Sequence, residues 1–184
     1  STLWPPNALL LAALLLAPTR AWWWLLAAVL PAHLLVELQS GVPVAMVLGW
    51  YVSNCSEALI GAGLARAFVP WPLRLDSLRS AGIFLFCGAL VGPVASSFLD
   101  AALVSLVGFG ERGYWDLVGT RIFSNTLAAL TVAPLILTLA SIEMPRLRAA
   151  RTARYAEAAA LFVGLAVTCL MVFNLPQFDN HTEP

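Results

Sequence analysis

Three charged side chains stand in apolar surroundings: Glu57 in "SNCSEALIGAG", Asp100 in "VASSFLDAAL" and Arg121 in "VGTRIFSNTL". A carboxylate accepts hydrogen bonds from amides, hydroxyls and ammonium groups, whereas a guanidinium offers a planar fork of donors. Such residues suit recognition of a polar molecule or of each other. Bond cleavage by Glu57 and Asp100 as a paired-carboxylate protease would require the two acids to meet, and Arg121 would compete for Asp100. No G-x-x-x-x-G-K-[ST], H-E-x-x-H or G-x-S-x-G pattern occurs in the chain, so phosphate-loop, zincin and hydrolase chemistry find no support. No enzymatic activity is expected of these residues.

Their spacing places them on helix faces. Trp50, Asn54, Glu57 and Gly61 follow i, i+4, i+7, i+11, and Ser96, Ser97 and Asp100 form a second polar face. Arg121, Ser124 and Asn125 form a third. Charged residues at membrane depth cost a few kcal/mol or more and turn toward the bundle interior or a wet cavity. Counting about 1.5 Å per residue puts Asp100 about 10 Å below one end of its helix and Arg121 about 9 Å from the matching end of the next, at a shared level. Glu57 is therefore expected to help line a polar cavity. The packing alternative gives each residue a plain role: Asp100 and Arg121 as an interhelical ion pair, and a neutral Glu57 bonded to a serine or a carbonyl. His33 is weighed both as a packing residue and as a ligand contact. Trp50, Tyr51, Tyr114 and Trp115 suit an interfacial belt or the wall of a site.

The elements that carry these faces follow from composition. The 184 residues are 60% hydrophobic and 11% charged, against roughly 25% charged in soluble domains. The expected fold is all-α, a polytopic transmembrane bundle of about six helices near 3–17, 21–38, 43–66, 79–107, 115–141 and 155–175. The first is short for a full span. Eight of the ten arginines fall in alternate loops, as Arg20, then Arg66, Arg74 and Arg79, then Arg146, Arg148, Arg151 and Arg154, while the opposite side holds Arg112. The positive-inside rule makes the arginine-rich loops cytoplasmic. Net charge is zero and lysine is absent, which gives nucleic acid no basic patch to bind. The cysteines Cys55, Cys87 and Cys169 are dispersed and the histidines number two, so no metal or other cofactor is expected. Gly88-x-x-x-Gly92 and Ala58-x-x-x-Ala62 offer flat faces for close helix approach. Pro93 and Pro134 are expected to interrupt their helices.

The order of four segments resembles a known family. "LWPPNALLLAALLL" at 3–16, "NCSEALIGAGLAR" at 54–66, "LDSLRSAGIFLF" at 75–86 and "RIFSNTLAALTVAPLIL" at 121–137 look like the bacterial membrane-associated sensor domain, type one. The likeness spans roughly residues 3 to 140. Its pattern carries over to Trp4, Pro5, Pro6 and Asn7, to Asn54, Glu57, Ala58 and Gly61, and to Asn125, Ala133 and Pro134. Ser124 and Asn125 stand where the family often has an acidic residue, which implies a different ligand selectivity. The resemblance implies a single sensor domain over 1–184, multi-pass in the bacterial inner membrane. Its C-terminal continuation would be a histidine kinase, diguanylate cyclase or phosphodiesterase, with dimerisation through that output.

Taken together, the expected partners are the bilayer and a small periplasmic molecule held by Glu57, Asp100, Arg121, Asn125, Asn54, Trp50, Trp115 and His33. Glu37, Glu57 and Asp100 against Arg121 favour a cationic or neutral polar ligand. The competing reading is the substrate-binding membrane subunit of a small-molecule importer, a protein of similar size and helix number.

Overall fold

The computed structural model describes residues 4–110, 112–141, 160, 163 and 164. The chain divides into two units, Ser1–Ser141 and Ile142–Pro184; in the second, Ala160, Val163 and Gly164 are helical. The first unit holds five helices: α1 (Pro5–Leu16), α2 (Trp22–Gln39), α3 (Val44–Phe68), α4 (Leu78–Val107) and α5 (Tyr114–Ser141). Short links join the first three, and among the described residues there is no strand. The all-helical expectation therefore holds. The expected span near 155–175 lies outside the described residues. By length and apolarity three helices can cross a membrane, Thr19–Gln39, Leu78–Val107 and Tyr114–Ser141, so about six spans is more than these residues support.

The two helices outside that group are shaped by what they bury. α1 has 12 residues, about 18 Å of helix against a hydrocarbon core of about 30 Å. Its last carbonyls have no partner within the helix and need donors from outside it. Side chains from elsewhere satisfy them. Trp22 Nε1 donates to the Leu14 carbonyl at 2.9 Å and Trp71 Nε1 to the Leu16 carbonyl at 3.1 Å. Arg66 Nη2 donates to the Ala17 carbonyl, with its guanidinium 5.2 Å from the Trp22 ring centroid and 5.7 Å from that of Trp71. Trp23 and Trp24 face outward, as an interfacial belt requires, whereas Trp22 turns in to this junction.

α3 is long enough to span but carries Ser53, Asn54, Ser56, Glu57 and Arg66, and it is central: it packs against α1, α2 and α4. α1 also packs on α5, and α4 on α5, closing a four-helix core with α2 alongside α3. Small residues set the α3–α4 spacing. A Cβ on Gly61 would lie 3.1 Å from Gly88 Cα, and one on Gly92 would lie 2.9 Å from the Glu57 carbonyl oxygen. Ala58, Ala62 and Ala65 are fully buried beside them. Within α4 the segment Phe84–Val91 is wound as a π-helix before Gly92 and Pro93 resume the α form. Pro93 thus sits at a change of winding, while α5 runs on through Pro134. The Pro93 carbonyl accepts from Ser97 Oγ at 2.6 Å and Ser96 Oγ at 3.1 Å.

Candidate functional site

The polar faces meet at two levels of the core. At the deeper one Glu57 Oε2 accepts three bonds, from Asn7 Nδ2 at 2.9 Å, Ser96 Oγ at 2.7 Å and Asn125 Nδ2 at 2.6 Å. One oxygen of α3 thus ties together α1, α4 and α5. All four residues are buried, and Ser53 Oγ adds a bond to the Ser96 carbonyl at 3.1 Å. Nearer the α5 start, Arg121 Nε lies 2.8 Å from Asp100 Oδ2, the one ion pair among the described residues. The Arg121 guanidinium also stands 5.6 Å over the Trp50 ring.

Above this floor opens a cavity of about 500 Å³, within the range of small-molecule sites. Trp4, Glu37, Trp50 and Asn54 line it from the first three helices. Phe109 and Arg112 close it from the α4–α5 link, and Arg121 and Ser124 from α5. These residues come from the start of α1, the end of α2 and the start of α3 and α5, all at the end of the bundle opposite Arg20, Arg66, Arg74 and Arg79. Trp50 also meets Phe109 edge to face at 5.6 Å between centroids. A smaller cavity of about 170 Å³ adjoins, sharing Trp4, Glu37 and Asn54 and bounded by Leu10, Val29 and His33.

The structure sorts the expected ligand contacts. Trp50, Asn54 and Arg121 come together on the main cavity wall. Glu57 and Asn125 are not among its lining residues; they form the hub beneath, because three donors draw the carboxylate inward. Asp100 acts on the cavity through Arg121. His33 bonds the Val47 carbonyl through Nε2 at 2.9 Å, tying α2 to α3, and borders the smaller cavity. Trp115 lies apart, 73% exposed, with its ring edge-on to Phe98 and Tyr114. The sequence pattern placed Trp4 and Asn7 in the family resemblance without a contact and counted Glu37 among the acids that set ligand charge, but it put none of the three in the site. The available signal was their placement: Asn7 is the one strongly polar residue between Pro6 and Pro18, and a lone amide in such a run needs a partner across the bundle.

Polar groups of five helices thus converge on one hub and one cavity in an apolar bundle, in the segment order read from the sequence. The MASE1 family model matches residues 1–178. The chain belongs to the MASE1 family of membrane-associated sensor domains. Members of this family are sensory input domains, so the chain is a multi-pass membrane sensor domain and its helices contact lipid. Comparison with curated proteins and with solved structures gives no match.

Proposed function

We propose that this MASE1 domain senses a small molecule that enters the 500 Å³ cavity from the periplasmic side of a bacterial inner membrane. The observation that carries the reading is the position of Arg121, which reaches from the cavity wall to Asp100 on α4. A molecule that engages Arg121 competes with or reinforces that ion pair. It thereby changes the relative free energy of two packings of α4 and α5, which is the requirement for a ligand to shift a conformational equilibrium. Asn54 and Trp50 provide hydrogen bonding and an aromatic wall on the facing helix. α5 leads toward the arginine-rich segment Arg146, Arg148, Arg151 and Arg154, and through it the shift reaches a C-terminal output domain, a kinase or a cyclic-di-GMP enzyme, as a dimer. The arginine-poor placement of the cavity supports the periplasmic assignment.

The test is thermal unfolding of the purified domain across periplasmic metabolites, beside Asn54→Phe, which fills the cavity from α3. A compound at 100 times its Kd raises stability by about 2.7 kcal/mol. A shift in the native protein that vanishes in Asn54→Phe supports the cavity as the input site. Equal shifts in both proteins would remove it.

A further inference from the structure

Glu37 is the least satisfied charge at the cavity. It is 92% buried by neighbouring residues, since its relative exposure is 8%, yet no side chain among the described residues pairs with its carboxylate, and Asp100–Arg121 is the one ion pair there. Its carboxylate oxygens are not among the buried side-chain atoms that lack a partner, so they face the cavity space and are available to a molecule there. Glu37 lines both cavities at their junction. Opposite charge waits elsewhere on the same wall. Arg112 has no acidic partner among the described residues, and Arg121 meets Asp100 through Nε, which leaves its terminal nitrogens without a carboxylate. The indole N–H groups of Trp4 and Trp50 are buried and also lack a partner.

Asp100 and Arg121 pair with each other, and the two charges left at the cavity, Glu37 and Arg112, cancel formally without pairing among the described residues. Neither a simple cation nor a simple anion satisfies both ends. We propose that the cavity binds an amphiphilic zwitterion: an ammonium at Glu37, an anionic group at Arg121 and the Trp50 N–H, and an apolar tail in the smaller cavity beside Leu10 and Val29. This deepens, and rests on, the sensor reading above. It replaces the cationic or neutral preference drawn from counting Glu37, Glu57 and Asp100 alone, because Asp100 is already matched by Arg121 and Glu57 lies in the hub. An apolar amino acid has this chemistry, and so does a phosphoethanolamine lipid headgroup.

The experiment uses the purified chain in phosphatidylglycerol nanodiscs and follows thermal unfolding and tryptophan fluorescence. L-leucine is compared with isopentylamine, which lacks its carboxylate, and with 4-methylpentanoate, which lacks its ammonium. A parallel set of nanodiscs contains phosphatidylethanolamine. Leucine is expected to bind about tenfold or more tightly than either singly charged analogue, a difference that corresponds to loss of one charged contact. Glu37→Gln should abolish that preference while leaving binding of 4-methylpentanoate unchanged. Stabilisation by phosphatidylethanolamine alone, again lost in Glu37→Gln, supports the same site with a lipid source. If the acid or the amine binds as well as leucine, or Glu37→Gln leaves the preference intact, the zwitterion assignment is overturned while the cavity reading stands. A metabolite of other chemistry whose effect vanishes in Asn54→Phe has the same meaning. If no compound or lipid shifts either signal, both readings fall together.

Discussion

Glu57 answers as an acceptor for three helices before it answers as anything else. Replacing it by Gln keeps one oxygen where Oε2 stands, so Asn7, Ser96 and Asn125 retain their acceptor. The exchange should then lower stability by no more than about 1–2 kcal/mol, the cost of the poorer fit of an amide in the hub. Glu57→Leu instead strands the buried amide donors of Asn7 and Asn125 at about 1–3 kcal/mol each, a large part of a typical protein's stability, while Ser96 Oγ keeps the Pro93 carbonyl as its acceptor. A monodisperse, meltable Glu57→Gln beside an aggregated Glu57→Leu checks this; equal behaviour would refute the hub. For Arg121, Gln alone leaves Asp100 buried without its partner and should cost about 1–3 kcal/mol, whereas Asp100→Asn with Arg121→Gln should recover much of it. Unfolding of the two single variants and the double variant gives the coupling energy. At this scale the sequence was informative wherever a polar residue recurred at helical spacing, as with Ser96, Asp100, Arg121 and Asn125. It named Asn7 in the family pattern and counted Glu37 among the acids, but gave neither a place in the site, since a single polar residue on α1 or at the end of α2 gives no periodicity, and only packing shows which partner it meets or lacks.

Among the helices, the α3–α4 contact is the tightest seam. Gly92→Ala directs a methyl to within 2.9 Å of the Glu57 carbonyl oxygen, and backbone on both sides leaves little room to yield. A loss of about 1–3 kcal/mol is expected, as for overpacked cores, with weaker bonding of Ser96 to Glu57 as the helices part. Gly119→Ala, where a Cβ meets nothing within 4 Å, serves as the control and should match or exceed native stability, because Gly in a helix interior is unfavourable relative to Ala by roughly 0.5–1 kcal/mol. The melting temperatures of the two variants decide between seam and general glycine effect. Small-residue spacing foretold that Gly88, Gly92, Ala58 and Ala62 would mark an interface. The π-wound stretch Phe84–Val91 was not foretold, because its residues read as ordinary apolar helix.

For the molecule as a whole, the lipid-facing surface is plain: Phe86, Phe123, Leu135 and Leu139 project outward from α4 and α5. Orientation rests on the arginine distribution, and single cysteines test it. In a Cys169→Ser background, with Cys55 and Cys87 buried, Ser40→Cys should react with an impermeant maleimide at the periplasmic face, while Arg74→Cys should react only after the inner membrane is breached. The reverse pattern would turn the cavity toward the cytoplasm and remove the periplasmic assignment. The Arg66 junction then sets how the domain can move. Arg66, Trp22 and Trp71 fasten the foot of α1 to its neighbours, so in the proposed response to a ligand the arginine-rich end would serve as the fulcrum and the cavity end as the open jaws of a pair of tongs. Spreading those jaws tilts the helices about the foot. For α5, whose 28 residues span about 42 Å, a tilt of a few degrees about that foot is a sideways movement of a few ångströms at the cavity end, and it reaches the end that leads into the rest of the chain as a change of angle.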